Sequence, residues 1–256
     1  MRRLLPLLVV LCGCQSVPVT GRRGLMLVPV SQERALGQQA YAEALAKGPL
    51  SKDAAAVARV RRVGERLAAA AGRDDFAWEF NLLVEDQTIN AWCLPGGKVA
   101  VYTGLLPVAK DDAGLAVVMG HEIAHALARH GAERMSQGLL AQYGGSLLSV
   151  VMAQKPAETR ALYQRAYGAG VQVGALLPFS RAHESEADRI GLVLMAKAGY
   201  DPAQAVEFWK RMAAATGGSG GAGLEKYLRT HPTNADRIAQ IEGWLPEARA
   251  AYRPAP

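Results

Sequence analysis

The chain opens on an apolar run from Leu4 to Cys12 behind Arg2 and Arg3. That run is too short to span a bilayer and has the length of a signal-peptide core. Helical periodicity follows. Ser31 is placed to cap a helix through about Lys47, which Gly48-Pro49 ends. Ser51 is placed to cap a second helix to about Ala71, with Val57, Val60, Val63 and Leu67 as its stripe. The period then changes to two. Trp78, Phe80, Leu82 and Val84 alternate with Glu79, Asn81 and Leu83, which predicts a strand. Asn90–Leu94 and Lys98–Thr103 are two more strands around a Pro95-Gly96-Gly97 turn, so the three make a small sheet.

Asp111 or Asp112 caps the next helix, which carries Leu115, Val118, Ile123, Ala126 and Leu127 and runs to about His130-Gly131. Apolar residues on most of its sides make it central. Gly138–Ala153 is strongly apolar yet under the roughly 20 residues of a membrane span, which predicts a buried helix or a lid rather than a surface hairpin. Residues 159–176 are small and helical in pattern, and Pro178 breaks that pattern before a helix begins near Ser180. Asp201-Pro202 starts a helix to about Ala215, and Gly217–Gly223 is a flexible loop. Helices over about Leu224–Arg229 and Thr233–Tyr252 flank His231-Pro232. With no internal repeat and no long linker, residues 31–252 form one domain of the α+β class, mostly α, with the small sheet beside the central helix.

The central helix contains His121-Glu122-Ile123-Ala124-His125, the pattern H-E-x-x-H. Histidines four apart share a helix face with Cβ atoms roughly 5–6 Å apart. Both rings can then close on one Zn²⁺ at about 2.0–2.1 Å. Glu122 is one step round the helix and can reach a water on the metal without coordinating it. Zinc lowers the pKa of that water from about 15.7 toward 7, and a carboxylate can take the proton. One ligand set predicts one zinc per chain.

A catalytic zinc needs a third protein ligand. The candidates lie in Arg181-Ala182-His183-Glu184-Ser185-Glu186-Ala187-Asp188. Glu184 and Asp188 share a helix face that Leu192 and Met195 extend inward, whereas Glu186 points about 200° away from Glu184. The pattern favours Glu184 as ligand, with Asp188 holding the other N–H of a ligating histidine. It puts Glu186 on the solvent side beside Arg189, and leaves His183 as the rival ligand.

Charge and cysteines refine the setting. The chain has 29 Lys+Arg against 23 Asp+Glu, with no basic run or aromatic-interleaved basic stripe, so no nucleic-acid partner is expected. Leu11-Cys12-Gly13-Cys14 resembles a bacterial lipobox, which implies a signal peptide over residues 1–13 and a lipid on Cys14. Residues 14–30, punctuated by Pro18, Gly21, Gly24 and Pro29, read as a lipidated tether leading into the domain. Gln15 after the cysteine favours an outer-membrane anchor facing the periplasm. Cys93 then has no intramolecular partner, and its strand position makes it a small core residue rather than a nucleophile.

H-E-I-A-H followed by E-S-E-A-D resembles the zinc metallopeptidase family of the CAAX prenyl proteases, the heat-shock peptidase HtpX and the periplasmic peptidase BepA. The similarity runs from Val19-Thr20-Gly21 to Arg237-Ile238 and includes Asn90-Ala91-Trp92, Leu94-Pro95-Gly96-Gly97, Thr103-Gly104-Leu105-Leu106 and His231-Pro232. It implies a zincin-like endopeptidase fold with His121, His125 and Glu184 as zinc ligands and Glu122 as general base. It implies that His231 stabilises the tetrahedral intermediate or caps the resting zinc, with Arg237 after it favouring the oxyanion-donor role, that Asp188 and Arg237 support the ligands, and that Asn90 and Ala91 lie at the substrate-binding strand. The chain lacks the transmembrane helices of the membrane-embedded relatives and BepA's helical-repeat domain, which argues against prenyl-protein processing. The resemblance and the lipobox together imply polypeptide substrates, envelope quality control and contact with the envelope assembly machinery. The rival is a zinc-bearing chaperone or assembly factor that binds clients and rarely cuts; Glu122 argues for the enzyme, because a structural zinc needs no adjacent base.

Overall fold

The computed structural model describes residues 14–153, 155–161, 177–216, 231 and 236–254. Strands β1 (Cys14–Ser16) and β2 (Arg23–Leu25) pair antiparallel, with Cys14 opposite Leu25. Residues 14–28 are therefore built into the body and do not hang from it as a tether. Val17, Met26 and Val28 are buried in the main core. Gly21, at φ +67°, takes a backbone conformation in the hairpin turn that favours glycine.

Helix α1 (Val30–Lys47) follows Pro29 with no side-chain cap, so Ser31 lies within its first turn. Helix α2 (Ala54–Ala71) is capped by Asp53, whose carboxylate accepts from the N–H groups of Ala55 and Ala56. Ser51 does not cap it; its N–H donates to the Leu82 carbonyl at 2.8 Å and joins the sheet margin. Val60, Val63 and Leu67 bury the α2 stripe, and Gly64 among them leaves room for the Phe80 ring.

The sheet contains β3 (Glu79–Leu83), β4 (Ala91–Leu94) and β5 (Lys98–Tyr102) in the order β3-β5-β4. β5 runs parallel to β3 and antiparallel to β4. The last strand takes the middle because Val99, Ala100 and Val101 are apolar on consecutive positions and all three are buried. β4 is left at an edge, against the central helix. A 3-10 turn (Thr103–Leu105) and α3 (Leu106–Ala109) lead to that helix, α4 (Asp112–Leu127), which Asp111 caps through the Gly114 N–H.

α4 is buried on all faces. It ends at Leu127, short of the expected His130-Gly131. Arg129 turns the chain in the left-handed region, at φ +57°. That conformation costs a non-glycine residue about 1–2 kcal/mol. Here the Arg129 guanidinium is held by the Glu33 carboxylate at 2.7 Å and the Val28 carbonyl at 2.9 Å. The corner starts α5 (His130–Met152), one continuous helix. The apolar Gly138–Ala153 stretch is its outer half and is not buried: Tyr143, Leu147 and Val150 are 70%, 66% and 72% exposed. Only the first turn of α5 lines the cleft described below, so this stretch is not a lid over it.

Helix α6 (Leu177–Lys197) carries Pro178 in its first turn, where the missing N–H does no harm. α6 crosses α4 at Gly191 and Gly120; a Cβ on Gly191 would lie 3.0 Å from the His121 nitrogen. That contact of backbone with backbone brings Glu184 and Asp188 within reach of the α4 histidines. Helices α7 (Gln204–Thr216) and α8 (Arg237–Ala250) close the other side. α7 starts after a turn in which Asp201 accepts from the Ala203 N–H at 2.9 Å. Of residues 159–176 only 159–161 are described, and they are helical; the expected Gly217–Gly223 loop and Leu224–Arg229 helix lie outside the described residues. Among the described residues no helix is long and apolar enough to cross a membrane.

Candidate metal centre

α4 presents His121 and His125, α6 presents Glu184, and His231 comes in ahead of α8. One ligand atom from each lies within 4.8 Å of all the others. The individual spacings are short and even. His121 Nε2 is 3.1 Å from His125 Nε2 and 3.2 Å from a Glu184 oxygen, and His125 Nε2 is 3.3 Å from the other Glu184 oxygen. His231 Nδ1 is 3.3 Å from His121 Nε2 and 3.1 Å from both Glu184 oxygens. Corners of a tetrahedron with 2.0–2.1 Å bonds are roughly 3.3 Å apart, so three histidine nitrogens and a carboxylate oxygen are set for zinc.

Electrostatics keep the donors ready. Burial opposes charge on Glu184, but hydrogen bonds from His121, His125 and His231 hold its carboxyl far below the usual range. Burial also opposes a charged His121; bonds to Asp188 and Glu184 outweigh it and raise that imidazole to about 10. His125 is pushed down to about 3, first by burial. Without metal the cluster therefore keeps a proton on His121, which zinc must displace.

Behind His121, its Nδ1 is 2.8 Å from Asp188 Oδ1, and Arg237 donates to the same oxygen at 2.7 Å. The Arg237 guanidinium lies 3.3 Å from the Trp209 ring centre, stacked on its face. Arg237 thus anchors a carboxylate that fixes the ring of His121.

Glu122 points into the same space. Its Oε1 is buried with no hydrogen-bond partner, and His231 Nε2 lies 3.5 Å from it. Burial raises its carboxyl above the usual range, which suits a group that must accept a proton near neutral pH. The surrounding cleft is lined by Cys93, Leu94 and Pro95 of the sheet margin and by Glu33, Gly131 and Arg134. Asn90 and Ala91 are buried at the start of β4, where the Asn90 side chain accepts from the Ala91 N–H at 2.9 Å, and they do not line the cleft. Burial pushes the Cys93 thiol up, which disfavours the thiolate that a nucleophile needs.

Two α6 positions differ from their sequence reading. Glu186 is buried, not solvated; it bonds His130 and Arg22. His183 turns away from the metal position to Glu133, at 3.1 Å. A helix with one solvent face would have exposed Glu186, but α6 is covered on nearly every side from His183 to Ala196. His130, Glu133 and Arg22 carry no recognisable motif, and only their polar and ionisable types hint at a role.

Two histidines and a glutamate from facing helices, with a buried carboxylate beside them and a small sheet along the cleft, define a zincin-like metallopeptidase. The chain belongs to Peptidase family M48, whose model matches residues 54–245. It is a zinc-dependent metalloendopeptidase. It is similar to the mitochondrial metalloendopeptidase OMA1 of Schizosaccharomyces pombe, 39% identical over 238 residues that cover 92% of this chain and 67% of that protein. It is 31% identical over 240 residues to the human OMA1, covering 90% of this chain and 46% of that one. The beta-barrel assembly-enhancing protease of Yersinia pestis is 30% identical over 200 residues, 77% of this chain and 41% of that protein. The chain thus spans about half or less of the human and Yersinia relatives.

Proposed function

We propose that the protein cuts extended or misfolded polypeptides at a cell envelope, with His121, His125 and Glu184 holding one zinc and Glu122 acting as general base. The observation that carries the reading is the even spacing of the donor atoms beside the buried Glu122 carboxylate, whose Oε1 makes no hydrogen bond. When bound, zinc supplies a Lewis acid that acidifies water and polarises a carbonyl. Glu122 takes the proton of the attacking water at its Oε1 and passes it to the leaving amine. β4 stands at the sheet edge, so its free backbone groups are suited to pairing with an extended substrate chain that passes Cys93–Pro95 on its way to the metal. Asn90 and Ala91 then set the strand rather than touch the substrate.

His231 acts in this reading as a cap. Its Nδ1 stands at the fourth corner of the ligand set, where substrate and water must bind. His231 must swing away for turnover. His231→Ala is therefore expected to keep zinc on three protein ligands and to raise the initial rate on unfolded casein, a rate that a chelator abolishes for both proteins. A fall in kcat of about 10²–10³ with zinc retained would instead identify His231 as an oxyanion donor.

Lipid on Cys14 places the enzyme at the periplasmic face of an outer membrane, and the lipobox-like Leu11-Cys12-Gly13-Cys14 supports this. The beta-barrel assembly-enhancing name of the Yersinia relative supports clients among outer-membrane proteins and contact with their assembly machinery. Cys14 begins β1, so an anchor there holds the folded body against the bilayer with little slack. Cys14→Ala is expected to move the protein from the membrane to the soluble fraction; firm membrane retention of that variant would refute the anchor.

A further inference from the structure

His121 and His125 each turn a second ring nitrogen away from the metal position. Behind His121 stand Asp188 and Arg237. Behind His125 is a longer chain of contacts that reaches the N-terminal hairpin. His125 Nδ1 is 2.9 Å from His130 Nδ1, and His130 Nε2 is 3.0 Å from Glu186 Oε2. The same Glu186 oxygen accepts from Arg22 Nε at 2.8 Å, and the Thr20 hydroxyl donates to its other oxygen. Arg22 also donates through both terminal nitrogens to Glu133, at 3.0 and 2.7 Å. Glu133 in turn takes His183, whose ring stacks on His130 with centres 4.3 Å apart and planes 16° from parallel. His130, His183, Glu133 and Glu186 are all buried.

The protons on this chain run one way. A neutral histidine that binds metal through Nε2 carries its proton on Nδ1. Two facing Nδ1 atoms make a hydrogen bond only if one of them lacks a proton, so His130 must accept there and carry its own proton on Nε2. Glu186, an acceptor, stabilises that tautomer. Arg22 fixes Glu186 by a fork that a single ammonium cannot reproduce, because it grips two carboxylates at once.

We propose that Arg22, Glu186 and His130 form a positioning relay that aims the His125 ring at zinc, so that the N-terminal hairpin is a working part of the metal site. Arg22 lies outside the stretch that matches the family model, residues 54–245. The metal site thus has two supports of the same design, each a carboxylate gripped by an arginine: Arg237 near the C-terminal end serves His121, and Arg22 near the N-terminal end serves His125. His130, Glu186 and Arg22 touch no substrate in this assignment. The relay rests on His125 being a zinc ligand.

The test uses the full-length, zinc-loaded protein. Zinc affinity is measured by chelator competition, ligand geometry by the visible spectrum of the cobalt-substituted protein, and folding by the thermal midpoint of the metal-free protein. Arg22→Met and Glu186→Gln are expected to lower zinc affinity about 10–100-fold, the usual effect of losing an outer partner, and to change the cobalt spectrum. Arg22→Lys, which keeps the charge and safeguards folding, is expected to show part of the loss. In a His130→Phe background, Arg22→Met is expected to add no further loss of zinc affinity, because the link to His125 is already cut. Unchanged zinc affinity and cobalt spectra in Arg22→Met and Glu186→Gln, even with a lower thermal midpoint, would reduce these residues to a structural role and overturn the proposal. Full additivity in the His130→Phe background would overturn it as well. A His125→Ala control that kept zinc would defeat the ligand assignment beneath the relay, a result distinct from either.

Discussion

Glu122→Gln is expected to abolish most peptide-bond hydrolysis while zinc stays bound. The substitution keeps the shape of the side chain and removes its capacity to take a proton. A positioned general base contributes about 10²–10⁴-fold, so kcat on unfolded casein should fall by at least the lower figure. Zinc should stay because Glu122 is absent from the group of donor atoms that converge, although it lies one residue from His121. The environment makes the loss large. Glu122 Oε1 is buried and makes no hydrogen bond, so it is free to accept the proton of the attacking water, a capacity that glutamine lacks. The measurement is kcat with zinc quantified in the same sample. Near-wild-type turnover would remove Glu122 from the mechanism, and loss of zinc as complete as in a ligand variant would make it a ligand.

His125→Ala is expected to lose metal, and activity with it. Wild-type protein should carry about one zinc per chain, since the described residues supply one converging donor set. Removing His125 takes one of three strong corners and leaves His121 and Glu184, with His231 as a poor substitute. The affinity loss should exceed the roughly 10–100-fold of an outer-partner change, and elemental analysis after dialysis should find little zinc. Acidification should mimic it in wild type. His121 holds a proton to about 10 in the metal-free protein because Asp188 and Glu184 outweigh its burial. Zinc binding must release that proton, so affinity should fall as pH falls. A His125→Ala protein with full zinc, or zinc affinity flat between neutral and acid pH, would contradict the ligand set.

Much of the site was legible because it is local. H-E-x-x-H needs only the geometry of one turn of α4, and the pairing of Glu184 with Asp188 needs only one turn of α6. Asp111 as a cap and the three strands followed from short-range patterns in the same way. His231 and Arg237 were visible only through resemblance, because no helix spacing links a residue in a connection to a histidine more than a hundred positions earlier. Glu186 departs from its expected solvent position because α6 keeps no face in water there: α4, α8 and the N-terminal hairpin enclose it. Gly138–Ala153 departs the opposite way. Its apolar composition predicted burial, but α5 extends beyond the elements that cover its first turns.

The sequence by itself determined the reacting groups, the periods of the helices and strands, and the metal those groups suit, because these depend on side-chain chemistry and on neighbours within a turn or two. Only the tertiary structure decided the strand order β3-β5-β4, the Gly120–Gly191 crossing that brings α6 onto α4, the left-handed corner at Arg129 that sets His130 behind His125, and the reach of Arg22 across the molecule to Glu133 and Glu186. Those features join residues far apart in the chain. Their energies come from burial and from pairing charges in places where water is excluded, and no local pattern records which distant partner will be there.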